Sequence, residues 1–290
     1  MAISLLKSKC KRLSFACRKL TATRINYQTS NKIVSPRGWL FFERIKNLRQ
    51  AFGALTAVGE NMIEHYYIEE GKGEPLILLH GNGENSGYFH FQIKEFAEYF
   101  HVIAIDTRGH GKTKRGEKPF TLSQFADDLA DFMNKKQIER ASILGFSDGG
   151  NIAMLFAIKY PQMVDKLVLN GANFHPSGIK KHFQLLVELR YRLTLINKTP
   201  SEKIKRKKEL LSLMVNEPDI SKDELKSIKA KTLVVAGTRD LIKESHTREL
   251  AKLIPNSRLC FIKGNHAVAR MNPKMFNKTV LDFLLENSKK

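Results

Sequence analysis

Six short apolar runs, separated by helix-like segments, are the feature that most restricts how this chain can fold. They are Pro75–His80, His101–Asp106, Ser142–Phe146, Lys166–Asn170, Lys231–Ala236 and Arg258–Ile262. A run such as Pro-Leu-Ile-Leu-Leu-His offers no polar face, the pattern of a strand covered on both sides. Leu122–Lys135, Asp148–Lys159, Glu244–Leu253 and Pro273–Leu285 read as helices between or after these runs. Strand–helix alternation of this length predicts an α/β chain, with a mostly parallel central sheet flanked by helices. Upstream, Ala54–Val58 and Met62–Glu70 read as the arms of a hairpin turned at Gly59-Glu60-Asn61.

One stretch breaks the rhythm. With the hairpin arms counted, six strands precede about sixty residues that contain no convincing strand. His182–Leu195 and Ser201–Val215 read as helices, parted at Lys198-Thr199-Pro200, and Ser221 can cap a short helix running toward Lys229. An all-helical insert at about 173–229, after the sixth strand, is the usual form of a lid. Within it, Lys203-Ile204-Lys205-Arg206-Lys207-Lys208 reads as the solvated face of one helix.

Composition narrows the class further. The 290 residues are 42% hydrophobic and 27% charged, which excludes disorder as the main state. No run reaches the length of a membrane-spanning helix. The three cysteines, Cys10, Cys17 and Cys260, are an odd count and argue for reduced thiols. No Cys or His spacing matches a metal site, and none is expected.

The outlier is a net charge of +20, and residues 1–60 hold half of it: twelve Lys and Arg against Glu43 and Glu60. The acid-free leader superficially resembles an organelle transit peptide. It is a poor secretory signal, because its apolar stretch ends at Lys7. Trp39, Phe42, Ile45, Leu48 and Phe52 fall at helical spacing among Arg44, Lys46 and Arg49. Such a helix can make a peripheral contact with an anionic membrane, or pack on the globular body, or belong to a loose extension. Residues 1–53 are therefore set apart as a basic N-terminal extension, and 54–290 as the globular domain. No nucleic-acid-binding motif accompanies the charge, and no nucleic-acid partner is expected.

The chemistry gathers at Gly145-Phe146-Ser147-Asp148-Gly149. This G-x-S-x-G sequence follows an apolar strand and opens a helix, the setting in which a serine hydroxyl is pushed clear of a sheet edge. A serine is a weak nucleophile unless a base takes its proton. His266, just past the last strand, occupies the right edge and order for that base. Asp240, directly after Lys231–Ala236, can orient the imidazole, whereas Gly171-Ala172-Asn173-Phe174 supplies no acid at the competing position. Backbone N–H groups of Asn82 and Asp148 are the candidates for an oxyanion hole. Two phosphate-loop lookalikes fail. Asp106 stands where the pattern ending Gly111-Lys112-Thr113 needs glycine, and Ser86 stands where the Gly81-x-Gly83 pattern needs its third. No cofactor follows.

Taken together, His80-Gly81-Asn82-Gly83, Asp106-Thr107-Arg108-Gly109-His110-Gly111, the serine turn, Gly237 to Asp240 and Gly264-Asn265-His266 resemble the α/β-hydrolase fold family over about residues 54–288. The resemblance implies a Ser147–Asp240–His266 triad and a structural role for the Asp106–Gly111 loop. It also implies a cytoplasmic serine hydrolase of carboxylesterase type acting on a small-molecule acyl substrate. The Ser-Asp-Gly-Gly form is similar to the biphenyl-hydrolase-like group, in which this aspartate accepts a substrate ammonium; Asp148 is thus also a substrate-binding candidate. Its carboxylate can instead turn into the helix N-terminus. The same residues admit acyl transfer, C–C hydrolysis, or a non-catalytic receptor on the hydrolase fold.

Overall fold

The computed structural model describes residues 62–197 and 200–286. The basic extension 1–53, the arm Ala54–Val58, Cys10 and Cys17 lie outside the described residues. The elements in chain order are β1 (Tyr67–Glu70), β2 (Pro75–Leu79), α1 (His90–Phe96), β3 (His101–Ile105), α2 (Leu122–Lys136), β4 (Ala141–Phe146), α3 (Asp148–Lys159) and β5 (Val164–Asn170). They continue with α4 (Lys181–Ile196), α5 (Glu202–Asn216), α6 (Lys222–Lys226), β6 (Lys231–Arg239), α7 (Glu244–Leu253), β7 (Ser257–Asn265), α8 (Val268–Met271) and α9 (Pro273–Leu284).

The strands form one seven-stranded sheet in the order β1-β3-β2-β4-β5-β6-β7. All neighbours are parallel except β1, which runs antiparallel to β3 at the edge. The apolar runs explain this placement, because alternate residues of one strand enter different cores. Ile77 and Leu79 pack with Ile103, Ile105 and Ile143 beneath α2, α3 and Leu250 of α7. Leu76 and Leu78 pack with Val102, Ala104 and Leu144 beneath α1, α8 and α9. A strand with two buried faces needs no polar alternation.

Local signals set the element ends. Thr121 caps α2 by accepting a hydrogen bond from the Gln124 N–H at 3.1 Å, and Gln137 closes it at φ 60°. Ser221 and Glu224 form a reciprocal capping box at the start of α6. The first arm of the predicted hairpin lies outside the described residues. Of its second arm only Tyr67–Glu70 is a strand, and its partner is β3. Tyr66 is held instead by the loop after β3, donating to Thr113 Oγ1 at 2.9 Å and accepting from the Asp106 N–H at 2.9 Å.

The helical insert, α4 to α6, lies between β5 and β6. It follows the fifth described strand; the sequence count of six includes Ala54–Val58. Lys203, Lys205, Arg206, Lys207 and Lys208 are all exposed, as a solvated face requires.

The Asp106–Gly111 loop is a buried polar brace beside the sheet edge. Asp106 accepts from the Ser86 N–H at 2.7 Å and the Lys112 N–H at 2.8 Å. Arg108 makes a bidentate ion pair with Asp128 of α2, both bonds 2.6 Å, and neither residue is exposed by more than 2%. Removing one partner of such a pair strands a charge in a dry site. Asp128→Ala is therefore expected to lower the unfolding free energy by about 3–5 kcal/mol in a urea titration. A midpoint unchanged from the wild type would show that Arg108 finds another partner.

Candidate active site

The carboxyl ends of β2, β4, β6 and β7 bring the predicted site residues to one edge of the sheet. Ser147 sits between β4 and α3 with φ 53° and ψ −121°, a backbone region that non-glycine residues rarely enter. The turn is sterically possible only because its neighbours lack side chains. A Cβ on Gly145 would lie 2.2 Å from the Gly149 carbonyl oxygen, and one on Gly149 would lie 2.0 Å from the Leu79 carbonyl oxygen. The strain is held by a hydrogen bond from the Ser147 N–H to the Asn170 carbonyl at 2.8 Å.

His266 bridges the other two residues. Its Nε2 lies 3.0 Å from Ser147 Oγ, and its Nδ1 lies 2.7 Å from Asp240 Oδ1. A carboxylate can only accept, so Nδ1 carries the proton and Nε2 is free to accept from the serine hydroxyl. Asp240 is 5% exposed and is itself fixed by the Ile242 N–H at 2.9 Å and the Gly237 N–H at 3.3 Å. Burial alone would raise its carboxyl. The hydrogen bond and charge of His266, with the two N–H groups, outweigh burial and hold Asp240 below the ordinary carboxylate value. The structure thus brings Ser147, His266 and Asp240 into contact, across 119 positions between Ser147 and His266.

Asn82 and Asp148 flank the serine. The Asp148 N–H is the first of α3, where no intrahelical acceptor exists. Neither it nor the Asn82 N–H has a backbone acceptor among the described residues. The Asp148 side chain does not turn back into its own helix N-terminus. Its Oδ2 accepts from Asn82 Nδ2 at 2.8 Å, and its Oδ1 makes a long contact of 3.4 Å with Asn151 Nδ2. Burial raises its carboxyl, against the opposing pulls of the Asn82 amide and His266. Asn82 Nδ2 also donates to the Leu210 carbonyl of α5 at 3.1 Å, tying the insert to this loop.

Four other histidines near this edge have structural roles or none at the serine. Thr107 N–H donates to His80 Nε2 at 3.1 Å, so His80 Nδ1 carries the proton and donates to the Gly81 carbonyl at 2.8 Å. Burial depresses His110 and His246 to about 4, and His246 Nε2 accepts from the Phe174 N–H. His175 meets Ser177 instead.

A cavity of about 410 Å³ opens over Ser147 and His266. Phe146, Ile179, Leu241 and Ile242 supply apolar wall; Phe183 of α4 and Met214 of α5 close it from the insert. Two further carboxyls line it that the sequence did not single out. Glu84 has an oxygen buried without a partner, and burial raises its carboxyl despite the Gly81 N–H and the charges of Arg270 and His266. Glu217 is raised by burial and by the charge of Asp148, against a 2.7 Å hydrogen bond from the Leu122 N–H. Glu84 lies two residues past Asn82 in the same loop, which is the one sequence signal that could have found it. Glu217 reaches the cavity only through the folding of the insert. Among the described residues no group of His, Cys, Asp and Glu forms a metal site. No described helix is long and apolar enough to cross a membrane.

Comparison with known proteins agrees with this architecture. Residues 74–199 match the family model described as alpha/beta hydrolase fold. The chain is 34% identical over 151 residues to an uncharacterized protein of Mycobacterium tuberculosis, a match covering 51% of this chain and 43% of that protein. It thus spans less than half the length of that relative. It is 29% identical over 249 residues to the serine hydrolase BPHL of Mus musculus, covering 78% of this chain and 85% of that one. The enol-lactonase from Burkholderia xenovorans LB400 superposes with a TM-score of 0.66 at 23% identity, covering 77% of this chain and 97% of that chain. The chain therefore has the α/β-hydrolase fold, and its relatives include a protein of the biphenyl-hydrolase-like kind.

Proposed function

We propose that this protein is a serine hydrolase that cleaves a carboxylic ester or related acyl bond through an acyl-enzyme. The observation that carries the reading is the continuous relay Ser147 Oγ–His266 Nε2 at 3.0 Å and His266 Nδ1–Asp240 Oδ1 at 2.7 Å. Ser147 Oγ attacks the acyl carbon while its proton passes to Nε2. The carbonyl oxygen becomes an oxyanion, within reach of the N–H groups of Asn82 and Asp148. Such donors typically contribute about 3 kcal/mol each to the transition state. Collapse expels the leaving group, which takes the proton from Nε2, and leaves an acyl-serine. Water then gives its proton to Nε2, attacks the acyl carbon, and releases the acid and a regenerated hydroxyl. Asp240, held ionised, stabilises the imidazolium in both halves. The helical insert acts as a lid whose Phe183 and Met214 shape the acyl pocket.

The preferred acyl group carries a free ammonium. Asp148, Glu84 and Glu217 line one cavity, and burial raises all three carboxyls. A cation there would offset the cost of holding carboxylates away from water. The resemblance of the Ser147-Asp148-Gly149-Gly150 sequence to the biphenyl-hydrolase-like group points the same way.

A panel of p-nitrophenyl esters tests both levels. Hydrolysis of the simple esters is expected, with kcat/KM at least about tenfold higher for α-amino-acid esters than for their N-acylated counterparts, as one ion pair in a dry site implies. Equal rates for the free and blocked amines would defeat the ammonium reading and leave the hydrolase reading intact.

A further inference from the structure

We infer that the outer face of helix α4, together with the basic helix α5, is a docking surface for an anionic membrane. Helix α4 is apolar on two sides. Its inner side is accounted for: Val187 and Thr194 are buried, and Phe183 lines the cavity. At about 100° per residue, Leu185, Leu186, Leu189, Leu193 and Ile196 fall on the opposite side within a sector of about 100°. These five side chains are 45–74% exposed, and none is buried by another element among the described residues. Scattered exposed leucines need no explanation, but a continuous stripe on one helix marks a contact surface.

The charge around the stripe says what kind of surface it meets. On the same wheel Lys181 and Arg192 border one side of the stripe and Arg190 the other. Helix α5, packed against α4, presents exposed Lys203, Lys205, Arg206, Lys207 and Lys208. Of its two acids, Glu209 is taken by Arg115 at 2.8 Å, and Glu202 approaches Lys205. Residues 180–209 hold ten Lys and Arg against three Glu. A helix with a leucine stripe bordered by cations matches acyl chains below and anionic headgroups around it. A second copy of this chain fits less well, since it would bring the same positive charge to the contact. The surface is built from described residues of α4 and α5 alone and owes nothing to the hydrolase chemistry.

The full 290-residue chain tests the inference by co-sedimentation with phosphatidylcholine vesicles, with and without about 30% phosphatidylglycerol. Binding to the anionic vesicles is expected, negligible on pure phosphatidylcholine, and several-fold weaker at about 0.5 M salt, where the screening length falls well below that at physiological strength. Leu189→Glu with Leu193→Glu is expected to weaken binding at least about tenfold, since it puts anions into the stripe. Lys205→Glu with Lys207→Glu, which leaves the stripe intact, is expected to weaken it comparably. Both sites are exposed, and an unchanged thermal midpoint checks that the variants fold. Binding by both variants equal to the wild type would overturn the inference and move the contact to residues 1–61. A dimer in solution that the leucine variant dissociates, with no vesicle binding, would overturn it in favour of a second copy.

Discussion

Ser147→Ala is expected to abolish turnover, lowering kcat/KM by about 10⁴-fold or more, with the remainder set by binding and the two N–H donors. The argument rests on geometry rather than on the motif. The hydroxyl is 3.0 Å from Nε2, and the serine backbone is held at φ 53° by glycines whose replacements would collide with the β2 and α3 backbone. Alanine keeps that backbone, so the loss is chemical and not structural. Substrate binding should survive, seen as a KM or inhibitor affinity within a few-fold of the wild type. Residual activity above about a tenth of wild type would mean that another group attacks the substrate.

Asp240→Ala is the second large effect, a fall in kcat of about 10⁴-fold. It removes the acceptor of the Nδ1 proton and the charge that balances the imidazolium, and it leaves the Ile242 and Gly237 N–H groups without their acceptor. Asp240→Asn should lose about as much. Its amide gives up the charge, and with its oxygen on a backbone N–H its Nδ2 faces His266 Nδ1 and fixes the wrong tautomer. The sign of the pH effect follows from the carboxyl. Asp240 titrates below the ordinary carboxylate value in the folded protein, so its ionised form contributes stability that is fully present above the unfolded value. That contribution is lost as pH falls through the folded value. Acid unfolding curves of wild type and Asp240→Asn should therefore converge at low pH and diverge toward neutrality. Parallel curves would mean that the carboxylate gains nothing from His266.

How legible all this was in the sequence depends on where burial and pattern coincide. The strands buried on both faces were readable because every residue of Leu76–Leu79 lies in one core or the other. The same criterion ended β6 at Ala236 and β7 at Ile262, three residues early in each case. Beyond those points Thr238, Arg239, Lys263 and Asn265 are exposed, but backbone pairing continues to Arg239 against Asn265. Helix α8, only four residues long, carries too little periodicity to be read. Ser147, Asp240 and His266 were legible because each follows a strand directly, so strand order fixes their edge. Glu84 and Glu217 were not, because their burial is made by neighbours distant in sequence. Helix α4 was legible as a helix. Its leucines, apolar on both sides, gave no means of telling the inner face from the outer.

The most direct test of the central claim is labelling of the folded protein with a fluorophosphonate, read by peptide mass spectrometry. The account predicts one adduct, on Ser147, formed rapidly in the wild type and at a rate lowered by several orders of magnitude in His266→Ala, because the hydroxyl is activated only through Nε2. Folded protein that takes up no label at Ser147, or labels there equally fast without His266, would contradict it.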